Sequence, residues 1–96
     1  MFRRHPQEVE KLVRSIMRSN GLETQWLQRR IIESWDEVAG SVAAQYTEEK
    51  SIRNQTLWVK ISSPAVRADL NMRRTELVRL LNQSVGAHIL SDIRLY

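Results

Sequence analysis

The stretch Thr56-Leu57-Trp58-Val59-Lys60-Ile61-Ser62-Ser63-Pro64 decides how this chain folds. Leu57, Val59 and Ile61 alternate with Trp58, Lys60 and Ser62, so a strand here buries one face and leaves the other open. Ser62 or Ser63, followed by Pro64, is the signature of a helix start. The hydroxyl caps the first turn, and proline loses nothing at the first helical position. Upstream, Asn54-Gln55 makes a plausible two-residue hairpin turn with a strand over Lys50–Arg53, since Asn tolerates positive φ. Downstream, Val66, Leu70, Leu77, Leu80, Leu81 and Val85 recur at helical spacing up to Gly86, which predicts one long helix. A last strand over His88–Leu95 follows. Ile89, Ile93 and Leu95 share its inner face, with His88, Asp92, Arg94 and Tyr96 on the other.

The first half reads as helical. Pro6 suits a first turn, Val9, Leu12, Val13, Ile16 and Met17 follow, and Gly21 is a stop, giving a helix over Pro6–Asn20. Thr24 is a candidate cap for a second helix whose apolar stripe is Leu27, Ile31, Trp35, Val38 and Val42. Gly40 breaks or bends it, with a further turn running to Tyr46. Trp26 and Trp35 lie roughly 180° apart around such a helix, so one of them is free to face a partner. The order is therefore α-α-β-β-α-β. It predicts an α+β domain, a two-layer sandwich with a three-stranded mixed sheet and its helices on one face. Trp58, Lys60, Arg94, His88 and Tyr96 would sit on the open sheet face.

A chain of 96 residues holds one core, so a single domain is expected over residues 1–96. Hydrophobic residues at 42% and charged residues at 27% are ordinary for a globular protein. No apolar run approaches the length of a membrane span, and Met1-Phe2-Arg3-Arg4-His5-Pro6 lacks the apolar core of an export signal. The cytoplasm is the default location on that reading. Cysteine is absent, which removes disulfides, thiolate metal sites and thiol nucleophiles together.

The net charge of +4 and a pI near 10.1 favour a polyanionic partner. Of 15 basic residues 12 are Arg, whose planar fork of donors matches phosphate, although a GC-rich coding sequence produces the same bias. Charge is also polar along the chain. Ile31 to Glu49 holds five acids and no base, whereas Lys50 to Arg79 holds seven bases against Asp69 and Glu76. Folding is expected to turn that asymmetry into two faces.

Catalytic and metal readings find little support. His5 and His88 lie on different segments without a suitable third ligand. Asp36-Glu37 and Glu48-Glu49 are adjacent pairs that diverge by about 100° on a helix rather than sharing a proton. Gly21, Gly40 and Gly86 are isolated and make no phosphate loop. Neither an enzyme activity nor a cofactor is expected. The candidates that remain are nucleic-acid contacts: Arg53, Trp58, Lys60, Arg67, Arg73, Arg74 and Arg94. An aromatic side chain among arginines is the composition that stacks bases and holds phosphates in single strands.

A set of spaced residues also resembles a known family. Trp35-Asp36-Glu37-Val38-Ala39-Gly40, Val42-Ala43, Tyr46-Thr47, Leu57-Trp58-Val59 leading to Ser62-Ser63, Leu70, and Leu81-Asn82 with Gly86 are similar to the DciA family of bacteria. The likeness runs from Val9 to Leu95. It implies a K-homology-like fold and a role as adaptor for the replicative DNA helicase, with DNA binding, single- or double-stranded, of its own. K-homology domains clamp nucleic acid with a Gly-x-x-Gly loop, which this sequence lacks, so a basic surface has to substitute. Two alternatives stay open: an RNA-binding domain, and a protein-interaction module whose basic residues only keep it soluble.

Overall fold

The computed structural model describes residues 6–96, with side-chain surroundings from Glu8 onward; His5 lies outside the described residues. Eight elements follow in order: α1 (Pro6–Ser19), α2 (Glu23–Ala39), α3 (Ser41–Gln45), β1 (Thr47–Arg53), β2 (Thr56–Ile61), α4 (Pro64–Met72), α5 (Arg74–Val85) and β3 (Asp92–Leu95). The strands form one sheet in the order β1-β2-β3. β1 runs antiparallel to β2, and β3 runs parallel to it. This is the expected mixed three-stranded α+β architecture, and it is compatible with a K-homology-like arrangement.

The alternation in β2 does what its sequence dictates. Leu57, Val59 and Ile61 are essentially sealed from water and meet Ile31, Trp35, Leu70, Leu77, Leu81 and Ile93 in one core. Trp35 is fully buried, and its indole N–H donates to Thr47 Oγ1 at 3.0 Å. That hydroxyl in turn donates to Ala43 O at 2.7 Å, so the polar end of a core tryptophan is satisfied. Of the two tryptophans on α2, Trp26 is the one left partly open.

The hairpin turn is Asn54-Gln55, as expected, with both residues at positive φ (50° and 62°). Gln55 is an unusual occupant of that region. Its position is fixed from outside: Gln55 O accepts the Ser91 N–H at 2.8 Å, and Gln55 Oε1 accepts the Ser91 hydroxyl at 3.0 Å. The turn is thereby tied to the segment entering β3.

Four boundaries differ from the sequence reading. The long helix is two helices, broken at Arg73, whose N–H bonds back to Leu70 O and Asn71 O. No Gly or Pro marks the break. It lets α4 pack on α3 and the sheet while α5 packs along α2. Thr24 caps nothing; α2 starts at Glu23 after Leu22, with no side-chain cap. β1 begins at Thr47 rather than Lys50, with a register irregularity between Thr47 and Glu49. Its first residues are polar because it is an edge strand, with one side of its ladder unpaired.

The fourth difference is β3, which is shorter than His88–Leu95. The side chain of Asn82 holds the segment ahead of it: Oδ1 accepts the Ile89 and Leu90 N–H groups at 3.0 and 2.8 Å, and Nδ2 donates to Leu90 O at 2.9 Å. This breaks the strand alternation, so Leu90 is the fully buried residue and Ile89 only partly so. Of the two candidate caps, Ser63 is the one in use, accepting the Val66 N–H at 3.3 Å.

α1 docks mainly on α2. Arg14 Nε and Arg18 Nε donate to Glu23 at 2.9 and 2.8 Å. Hydrogen bonds from Arg18 and then Arg14 hold the Glu23 carboxyl at about 2, against an ordinary 4.5. A depressed carboxylate stabilises the fold above its unfolded value and stops doing so as pH falls through its folded value. Protection of α1 amides from exchange should therefore be full above pH 4.5 and decline toward about 2. Glu23→Gln should remove that dependence while leaving the core unchanged. Asn82→Ala should destabilise the domain by about 2–3 kcal/mol in chemical denaturation, because two part-buried N–H groups lose their acceptor.

Candidate nucleic-acid interface

The pleat that buries Leu57 and Val59 turns Trp58 and Lys60 to the opposite face of β2. Register does the rest. Trp58 pairs with Ser51 on β1 and with Arg94 on β3, so the three form a row across the sheet. Arg53 lies diagonal to Trp58, and its guanidinium carbon sits 4.7 Å from the indole centroid, a cation–π contact. Tyr96 meets the same indole edge-on at 6.3 Å and 66°. Arg53, Asn54, Thr56, Trp58 and Arg94 line an open cleft of about 560 Å³. The outer strands of such a sheet are about 10 Å apart, so two guanidiniums flank one indole at close range.

The other sequence-predicted residues fall in different places. Lys60 shares the face, with Glu48 3.6 Å away and Glu49 opposite it in register. Arg74 joins the edge of the site through Asp92, which also meets Arg94. Arg67 is partly buried and donates from Nη1 to Ile61 O at 2.9 Å, satisfying the last carbonyl of β2. Arg73 pairs with Asp69 at 3.1 Å and lines a groove between α3 and α4. The structure therefore brings together Arg53, Trp58, Lys60, Arg74 and Arg94, and sets Arg67 and Arg73 apart. Among the described residues, Arg53 makes no ion pair with a carboxylate.

The separation of acids from bases along the sequence is only partly kept in space. Lys50 meets Asp36 at 3.5 Å, and Lys60 meets Glu48. An antiparallel hairpin folds the acidic start of β1 beside the basic end of β2, so opposite charges meet across the ladder. An exposed pair such as Lys60–Glu48 is weak and leaves the ammonium available to other anions.

Two features of α1 were not singled out from sequence. Lys11, Arg14 and Arg18 share one side of the helix, with Arg14 and Arg18 meeting Glu23, and Arg30 pairs with Glu10 while lying over Trp26 at 5.5 Å. On another side Val9, Leu12 and Ile16 remain 45–50% exposed. The i, i+3, i+7 spacing of Lys11, Arg14 and Arg18 was readable as a basic stripe. Exposure of the apolar residues was not, because their spacing equally fits a core helix.

The helix-on-sheet domain thus leaves Trp58 on its outer sheet face between Arg53 and Arg94, beside an open cleft. The family model described as "Dna[CI] antecedent, DciA" matches residues 8–95, and the chain belongs to that family. A UPF0232 protein of Corynebacterium glutamicum (strain R) is 24% identical over 66 residues, covering 69% of this chain and 37% of the relative. The chain thus spans little more than a third of that relative's length. No solved structure gives a match.

The geometry separates two kinds of arginine. Arg53→Ala and Arg94→Ala should leave unfolding free energy within about 0.5 kcal/mol of the parent. Arg67→Ala should cost about 1–2 kcal/mol, because a partly buried carbonyl loses a charged donor. Urea denaturation of the three variants checks both.

Proposed function

We propose that this domain is a nucleic-acid-binding adaptor of bacterial DNA replication. In this reading it holds DNA on the open sheet face with low sequence specificity and engages the replicative helicase elsewhere on its surface. The observation that carries the DNA half is the row Ser51-Trp58-Arg94 with Arg53 stacked on the indole. A half-buried aromatic flanked by guanidiniums offers a stacking platform for a base and donors for the phosphates on either side. Such contacts position a strand without reading its sequence. Arg74 and Lys60 extend the positive surface; Arg67 and Arg73 contribute at most to the surrounding field.

Membership of the DciA family supports the helicase-loader type of role. The helicase contact and a cytoplasmic location belong to this proposal. Among the described residues no helix is long and apolar enough to cross a membrane. A second observation favours a protein contact in addition to DNA. Val9, Leu12 and Ile16 give α1 an apolar stripe open to solvent. Apolar side chains grouped in this way on a surface mark interaction sites more often than solvated faces.

Fluorescence anisotropy with labelled oligonucleotides tests the DNA half. If about 3–5 phosphates are neutralised, log affinity should fall against log salt with a slope of about −2 to −4. Trp58→Ala should lose about 1–3 kcal/mol of binding to a single strand, the worth of one stacked base. A flat salt titration, or a Trp58→Ala variant that binds as the parent does, would exclude this face. Competition between matched RNA and DNA oligomers decides whether RNA is the preferred ligand. Co-purification with the replicative helicase tests the adaptor half, and loss of both activities in separate variants would assign each surface.

A further inference from the structure

Asp92 occupies an unexpected place in this face. It is the first residue of β3, opposite Thr56 on β2, and its two carboxylate oxygens each meet a different arginine. Oδ1 lies 3.5 Å from Arg74 Nε at the start of α5, and Oδ2 lies 3.3 Å from Arg94 Nε on the sheet face. Oδ1 also accepts the Ile93 N–H at 2.8 Å, which fixes the carboxylate against its own strand. Two guanidiniums from different elements thus converge on one anion that cannot swing away freely. All three side chains remain partly open to water, at 34–57% exposure, so an external anion can reach them.

We propose that Arg74 and Arg94 form a phosphate seat and that Asp92 is its resident competitor, setting how tightly this face holds a nucleic-acid backbone. The proposal rests on the nucleic-acid reading above and deepens it. A backbone phosphodiester presents two unesterified oxygens and one negative charge, as a carboxylate does, so two convergent forks that hold Asp92 offer the same donors to a phosphate. When a backbone phosphate arrives, Asp92 is a like charge within a few ångströms of it. Its repulsion offsets part of what the arginines contribute. The carboxylate would therefore keep affinity moderate and make release easy, while the Trp58 platform is untouched.

Asp92→Asn and Asp92→Ser test this, because each keeps an oxygen that can accept the Ile93 N–H while removing the charge. The probe is a fluorescein-labelled single-stranded oligothymidylate, titrated at several salt concentrations. Removing one like charge at about 6 Å near a surface should tighten binding about three- to tenfold at low salt. It should also steepen the salt slope by about one. Adding Arg74→Ala or Arg94→Ala should abolish the gain, which a general change in net charge would not predict. Glu76→Gln, an equal charge change paired to Arg79 on α5, should give a smaller gain that survives Arg74→Ala.

Unchanged or weaker binding by both Asp92 variants, with Trp58→Ala still weakening the parent, would overturn the competitor role and leave the nucleic-acid face standing. Absence of binding by the parent and all variants would remove the face and the seat together.

Discussion

One strand with two incompatible sides sets the character of this domain. β2 is the central strand, bonded on both edges, so its backbone has no freedom to turn a side chain from one face to the other. Burying Leu57, Val59 and Ile61 forces Thr56, Trp58 and Lys60 onto the outer face. A one-residue slip would put a tryptophan and a lysine into the core and three aliphatics into water. The hydrophobic term that stabilises the fold and the exposure of the candidate interface are therefore the same constraint seen from two sides.

The neighbours of β2 convert that constraint into a site. Antiparallel pairing with β1 sets Ser51 beside Trp58 and delivers Arg53 from the diagonal position, while parallel pairing with β3 delivers Arg94. The register of β3 depends on the tethers before it, the Asn82 clamp on Ile89 and Leu90 and the bond from Ser91 to Gln55. Asn82 lies far in sequence from Trp58, yet it anchors the segment that leads into the strand carrying Arg94.

The parts legible in sequence were those governed by local rules. Alternation identified β2 and the outward Trp58; Asn54 marked the turn; Ser63-Pro64 and Gly86 marked helix ends. What escaped was decided by contacts between distant segments. The break at Arg73 has no Gly or Pro, because it is imposed by α4 and α5 packing against different neighbours. Thr24 has the chemistry of a cap, but Glu23 is anchored by Arg14 and Arg18 from the previous helix, which moves the start of α2 forward. The site shows the same division. Trp58 and Arg94 followed from period-two patterning, and the Arg73–Asp69 pair has the i, i+4 spacing of a helix, whereas the diversion of Arg67 to a strand carbonyl required the fold.

On the proposed reading, the two layers would let one small domain serve two partners. The sheet's outer face carries the indole and its flanking guanidiniums; the exposed aliphatics of α1 project from a helix that docks on α2, in the other layer. A rigid core of Trp35, Leu57, Leu70, Leu81 and Ile93 lies between the layers. A polyanion on the sheet and a protein on the helices would then compete neither for side chains nor for space. Well-separated surfaces tend to behave additively, so coupling between them would require the core to move. On that reading, holding two macromolecules together needs independence of this kind, and a two-layer fold with one open sheet face would supply it.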